Sequence, residues 1–337
     1  MPLSRLLSRV KFDYYLAALL LTVAVAAVVP ARGAVEPVAK TAVYVAVFLL
    51  FFLYGARLST QAVVQGIAHW RLQSLVLLST FVLFPLVGLG LTAALGRWLP
   101  AELAAGLMFV CVLPSTVQSS IAFTSIARGN VAAALCGASV SNLVGMALTP
   151  LLVAALLATH GSGFSLKALT DIAVELLLPF GLGQALRPWV GPWITRQKHV
   201  LSYVDRGSIL LVVYSAFSES VVAGVWVHMD VWSLVLVFAL DSVLLAVVLA
   251  ATTAVSRALG FAKEDEITIV FCGSKKSLAS GIPMANILFP GAAVGAIVLP
   301  LMIFHQIQLF ACATLAQRYA RRPAAAPVPA AGQPAGA

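Results

Sequence analysis

Ten apolar runs, each 17 to 28 residues long and separated by short loops, leave this chain few options beyond a bundle of membrane-spanning helices. They lie at 14–30, 38–56, 73–96, 102–127, 131–158, 166–187, 205–226, 231–256, 267–289 and 292–318. A helix needs about 20 mostly apolar residues to cross the hydrocarbon core. Only 10% of the 337 residues are charged, where a soluble domain would carry roughly a quarter. The expected fold is therefore an all-α polytopic membrane domain over residues 1–322. A Pro/Ala/Gly-rich tail at 323–337 has the composition of a disordered segment. Arg5, Arg9 and Lys11 before the first run imitate a secretory signal. Pro30-Ala-Arg32 is a poor cleavage site, however, and nine more runs follow, so an uncleaved first span is expected.

Lys and Arg supply an independent check on the number of spans. The N-terminus, the even-numbered loops and the C-terminus hold fifteen of them, the odd-numbered loops hold four, and Lys275 and Lys276 complete the 21. Positive-inside bias then places both termini in the cytoplasm, which requires an even number of spans. Ten spans divide into two fives, about 12–160 and 161–322, and an odd-numbered unit repeated in tandem must insert with inverted topology. Tyr54-Gly-Ala56 in the second span and Tyr214-Ser-Ala216 in the seventh are weakly similar at matching places. The net charge of +9 speaks for topology and anionic headgroups rather than nucleic acid, for which no motif is present. A cytoplasmic membrane of bacterial type is the expected location, with the lipid bilayer as the chain's partner.

The fourth and ninth spans, each fourth in its half, are interrupted by polar groups and helix breakers. The first break reads Val112-Leu-Pro-Ser-Thr-Val-Gln-Ser-Ser120, with Ser115, Thr116, Gln118, Ser119 and Ser120 clustered behind Pro114. The second brackets Ser274, Lys275, Lys276, Ser277 and Ser280 between Gly273 and Gly281, with Pro283 following. Unwound backbone at membrane depth is tolerated only inside protein or beside a water-filled cavity. Breaks at matching positions of two halves point to a transporter's substrate and ion site. The simpler account of the first is a proline kink whose serines bond back to the preceding turn. For the second it is a helix set off register, with the lysines at an interface. A lysine at the centre of a span costs on the order of 3 kcal/mol. Such a residue can attract a substrate anion, fill a cation site as a tethered ammonium, or titrate as a coupling-proton site.

Charge partners for the lysines are few. Glu175, Glu219 and Asp241 are the acids inside spans, and Glu219 is the first choice because its helix is the inverted counterpart of the second span. Asn142 in the fifth span has the reach to coordinate a ligand. His305 in the tenth is either a proton relay or a satisfied helix–helix hydrogen bond. Cys111, Cys136, Cys272 and Cys312 match no metal or redox spacing and read as packing residues. No cofactor or metal is expected. No protease or hydrolase signature is present, so no enzymatic activity is expected, and without a P-loop transport would be secondary.

These residues resemble the bile acid:sodium symporter (SBF-like) family. Ala127-Arg-Gly-Asn130 is similar to its link between spans four and five. Cys272-Gly-Ser-Lys-Lys-Ser277 and Phe304-His-Gln306 are similar to the branch containing the vertebrate seventh member of that solute-carrier family. The resemblance covers roughly residues 12–320. It implies ten helices in two inverted five-helix repeats, a panel and a core, and breaks in spans four and nine that cross near the midplane. It also implies sodium-coupled transport of organic anions, using an acid and amides in the second crossover. Phe271 stands where the resemblance expects the acid, Lys275 where it expects an amide, and Ala134 and Ala138 where it expects side-chain oxygens. A hydrophobe for a carboxylate and an ammonium for an amide remove sodium affinity electrostatically.

The expectation is thus a secondary transporter of a small or amphipathic organic anion, coupled to a proton, exchanging anions or running uncoupled rather than driven by sodium. The alternatives are a non-transporting regulatory protein that keeps the fold, and an intramembrane enzyme using His305 with a serine or cysteine.

Overall fold

The computed structural model describes residues 14–57, 69–157, 166–224, 230–289 and 291–322; the basic N-terminal segment and the 323–337 tail lie outside them. Among the described residues all regular structure is helical. The helices are α1 (Tyr14–Val28), α2 (Val35–Arg57), α3 (Trp70–Trp98), α4 (Ala101–Val112), α5 (Val117–Ile126) and α6 (Val131–Leu157). They continue as α7 (Leu166–Arg196), α8 (Lys198–Val222), α9 (Val231–Ala258), α10 (Lys263–Gly273), α11 (Leu278–Leu288) and α12 (Val294–Ala320).

Six helices are long and apolar enough to cross a membrane: α2, α3, α6, α8, α9 and α12. A seventh span results if α4 and α5, bent by 60° at their break, are taken together. The remaining apolar runs form the shorter α1, the proline-bearing α7 and the pair α10/α11. The outward faces suit lipid rather than water: α9 alone exposes Val231, Trp232, Val235, Phe238, Val243 and Val247.

The helix α7, which already holds Pro179, departs from its expected run of 166–187 by continuing to Arg196 through Pro188 and Pro192. Each proline forfeits one backbone hydrogen bond and costs about 3 kcal/mol in an isolated helix. Packing against α2 outweighs this. A Cβ on Gly55 would stand 2.0 Å from the Phe180 carbonyl oxygen, and one on Gly183 would stand 2.0 Å from that of Phe52. Two facing glycines therefore bring the backbones into direct contact, the small-residue packing used where lipid provides no hydrophobic drive.

The helices form two groups. The first is α1, α2, α7 and α8; the second, α3–α6 with α9–α12, contains both breaks. A hydrogen bond from Tyr54 Oη to the Ala279 carbonyl (3.3 Å) and one from Gly295 N to Ser220 Oγ (3.2 Å) join them.

Candidate functional site

The two breaks have different local causes. The residue before a proline is pushed out of the helical region, and Leu113, before Pro114, is extended (φ −75°, ψ 153°). The second break holds no proline; α10 stops at Gly273, and α11 restarts with Ser277 capping it through Ser280 N at 3.2 Å. Both gaps are nonetheless four residues long, 113–116 and 274–277, and they lie against each other.

Their contacts are reciprocal. Ser115 and Lys276 hold the third place of their gaps. Ser115 Oγ donates to the Cys272 carbonyl (2.6 Å), and Lys276 Nζ donates to the Cys111 carbonyl (2.8 Å). These two cysteines occupy the same place before their own gaps. Ser277 N donates to the Pro114 carbonyl (3.0 Å), and Thr116 Oγ1 donates to the Lys276 carbonyl (2.8 Å). Each third-place backbone is also held by the following long helix. Ser115 N donates to Ser141 Oγ (3.1 Å), and its carbonyl accepts from Asn142 Nδ2 (2.6 Å). Lys276 N donates to Gln308 Oε1, and its carbonyl accepts from Gln308 Nε2, both at 2.9 Å. Backbone groups freed at membrane depth thus find protein partners.

The two lysines are fully buried and differ completely. The Lys276 ammonium spends its three hydrogens on three main-chain carbonyls, Thr80, Cys111 and Leu113, each at 2.8 Å, and lies 4.0 Å from the Phe84 ring centroid. Thr80 offers its carbonyl from a π-helical turn, Ser79–Leu83, which interrupts the regular pairing of α3. The Lys275 ammonium has no hydrogen-bond partner among the described residues. It stands 3.8 Å from the Phe123 ring centroid and 5.6 Å from that of Phe271. Desolvated cation–π contact is worth about 2 kcal/mol, yet three N–H donors stay unmet. Where the resemblance calls for a carboxylate, the Phe271 ring therefore faces a cation, and Tyr319 packs edge-on against that ring.

The acids do not reach these ammoniums: among the described residues no carboxylate lies within 4.0 Å of either. Asp241 is fully buried in α9, and among the described residues neither of its oxygens has a hydrogen-bond partner. Glu219, near the end of α8, stands 3.9 Å from Lys40 instead, and both line a separate cleft. The side chain of Glu175 lies outside the described residues. That cleft, of about 330 Å³, opens between α2, α7, α8 and α11; Lys40, Tyr44, Ser215, Glu219 and Asn286 give it polar groups, and Phe48 and Phe289 give it apolar wall.

The other expected site residues are scattered around the gaps. Gln118 is exposed on the first turn of α5, Ser119 Oγ is buried with no partner among the described residues, and Ser120 Oγ donates to the Phe271 carbonyl (3.1 Å). Ser274 Oγ bonds back to Val270 O (2.6 Å). His305 Nδ1 sits 2.9 Å from Gln308 Nε2, one turn from the amide that clamps Lys276. Ala134 O faces the Cys272 thiol at 3.7 Å and Ala138 O accepts from Asn142 Nδ2 at 3.0 Å, so both alanines meet the site through main-chain oxygens.

Gln308, Ser141 and Thr80 belong to the site but not to the expected set. Gln308 was visible as an amide interrupting an apolar run; the Thr80 carbonyl had no signal, since any residue type carries one. Replacing Gln308 by leucine strips the buried Lys276 N–H of its partner and leaves the Lys276 carbonyl only Thr116 Oγ1. Buried groups left unpaired cost about 1–3 kcal/mol each, so Gln308→Leu should lower the apparent Tm well beyond the exposed control Gln317→Leu. Equal thermal shifts for the two variants would remove Gln308 from the site.

The chain matches the SBF-like CPA transporter family over residues 13–321. A protein of Pseudomonas aeruginosa is 55% identical across 94% of this chain and 96% of its own length. The YfeH protein of Escherichia coli (strain K12), provisionally named a symporter, is 51% identical across 92% of this chain and 93% of its own. Sodium/bile acid cotransporter 7 of Xenopus tropicalis is 30% identical across 90% of each chain. Likeness that runs nearly from end to end carries the break-bearing helices with it, and the chain belongs to the SBF-like CPA transporter family of membrane transporters.

Proposed function

We propose that the protein is a secondary carrier of a small or amphipathic organic anion, working without sodium at the crossover because the Lys276 ammonium stands in for the cation. The observation that carries this reading is the set of three carbonyls around one ammonium. Converging carbonyls are how proteins replace the hydration shell of a monovalent cation, and a tethered charge in that position leaves no room for a free one. Lys275 has the complementary character: a buried cation with unmet donors, able to release a proton or meet an anion when the site opens.

In this reading the chain has ten spans in two inverted five-helix repeats, with both termini cytoplasmic in a bacterial-type inner membrane. The reciprocal bonds of Ser115 and Lys276 support the repeat, and the distribution of basic residues supports the orientation. The cleft beside Lys40 would admit the substrate by its apolar body, which the Phe48 and Phe289 walls suit; the Lys40 ammonium is already paired with Glu36 at 2.8 Å. A sodium-coupled bile-acid role belongs by name to the vertebrate relative. The lysine pair argues against carrying sodium coupling over to this chain.

The test is flux of an organic-anion panel into proteoliposomes, with sodium and pH gradients imposed separately. Flux should follow the proton or anion gradient and ignore sodium; sodium-driven flux would end this reading. Replacing a buried charge by an apolar isostere is often neutral for stability. Lys275→Met should therefore change the stability by less than about 1 kcal/mol and abolish flux. Unchanged flux in that variant would remove Lys275 from the site.

A further inference from the structure

On the lipid-facing side, lined by none of the crossover-gap or Lys40-cleft residues, α9 and α12 leave a groove of about 780 Å³ between them. Its floor and walls are apolar or hydroxyl-bearing, among them Ala246, Ala250, Ala254, Phe310 and Leu315. Its one charged end carries two guanidiniums, Arg257 from the last turn of α9 and Arg318 from the last turns of α12. Both helices end there, and Lys263, Arg321 and Arg322 follow within a few residues of those ends.

Groove length and charge identify the occupant. From Ala246 to Arg257 the helix rises about 16 Å at 1.5 Å per residue, close to half of a hydrocarbon core roughly 30 Å thick. The groove is therefore one leaflet deep, with its cations at headgroup level. We infer that this groove is a binding site for an anionic phospholipid, its acyl chain lying along Ala246–Ala254 and its phosphate held by Arg257 and Arg318. Arg257 spends Nε and Nη2 on one oxygen of Glu266, at 3.3 and 3.2 Å, which leaves Nη1 of its fork for a phosphate oxygen. Its side chain is 60% exposed. Arg318 is exposed and makes no ion pair among the described residues.

The site also adjoins the crossover from behind. Glu266, which Arg257 holds, accepts a hydrogen bond from Tyr319 Oη at 3.0 Å, and the Tyr319 ring packs on Phe271 beside Lys275.

The experiment is native mass spectrometry of the full chain after exchange into equimolar dioleoyl phosphatidylglycerol and dioleoyl phosphatidylcholine. Wild type should keep one phosphatidylglycerol in preference to phosphatidylcholine. Arg318→Gln, which leaves Glu266 untouched, should cut that preference about fivefold, the effect of one basic side chain at an anionic surface. The variant that also carries Arg257→Gln should cut it further. Ala250→Phe with Ala254→Phe fills the exposed groove while keeping both charges, and it should release the lipid although the protein stays monodisperse. Equal retention of the two lipids by wild type would overturn the inference. So would phosphatidylglycerol retention that survives the filled groove, because binding would then rest on surface charge alone.

Discussion

Lys276→Ala should make a protein indifferent to sodium respond to it. In the native chain the ammonium satisfies the carbonyls of Thr80, Cys111 and Leu113 in a fully buried position. Removing it leaves three oxygens converging on an empty centre. Each buried unpaired group costs about 1–3 kcal/mol, so the variant should lose about 3–9 kcal/mol of stability. Sodium, which takes main-chain carbonyls in place of water, should recover part of that loss. The measurement is the thermal midpoint of purified protein in sodium chloride and in choline chloride. Wild type should melt alike in both salts, and Lys276→Ala should melt lower in choline than in sodium. A variant that is destabilised but blind to sodium would mean that the three carbonyls hold a lysine without forming a cation site.

Gly55→Val should have the largest effect on folding. The added Cβ would fall 2.0 Å from the Phe180 carbonyl oxygen and 2.9 Å from its carbon. These are main-chain atoms of α7, so no rotamer change relieves the overlap, and α2 and α7 must separate. The expected cost exceeds about 4 kcal/mol, the range reserved for overpacking and lost core contacts. Size-exclusion profiles of a fluorescent fusion should show little monodisperse protein. Gly181→Ala on the same helix is the control, since nothing lies within 4 Å of its Cβ position. If both variants behave alike, the glycine contact does not hold the first helix group together.

The legible part of the site was the part written in residue types. A proline after Leu113 and a run of hydroxyls marked the first gap, and adjacent lysines in an apolar run marked the second. Their partners were less legible. Charge complementarity directs a sequence reader toward Glu219 and Asp241, yet Lys276 is satisfied by carbonyls, and Glu219 stands beside Lys40. Main-chain oxygens carry no signature in the sequence, and which of them are free depends on where helices break or widen, as at the π-turn of α3. The division of labour between the lysines was hidden for the same reason: Lys275 and Lys276 are chemically identical neighbours, and successive residues of an unwound segment face different ways.

Membrane class, helical content and the approximate location of both interruptions are legible in the order of residues alone. Those follow from hydropathy, from proline's missing donor and from the cost of polar groups in lipid, all of which act locally. That α7 runs on through three prolines is a property of the packed bundle: Gly55 lies against the Phe180 backbone and Gly183 against that of Phe52, and this contact outweighs the prolines' cost. The tertiary structure alone decided how α10 ends without a proline, with Gln308 and Pro114 taking the backbone groups that a continuing helix would have paired. And it alone made one lysine a fixed counter-charge and left the other unpaired, since burial and hydrogen-bond supply are properties of the assembled bundle.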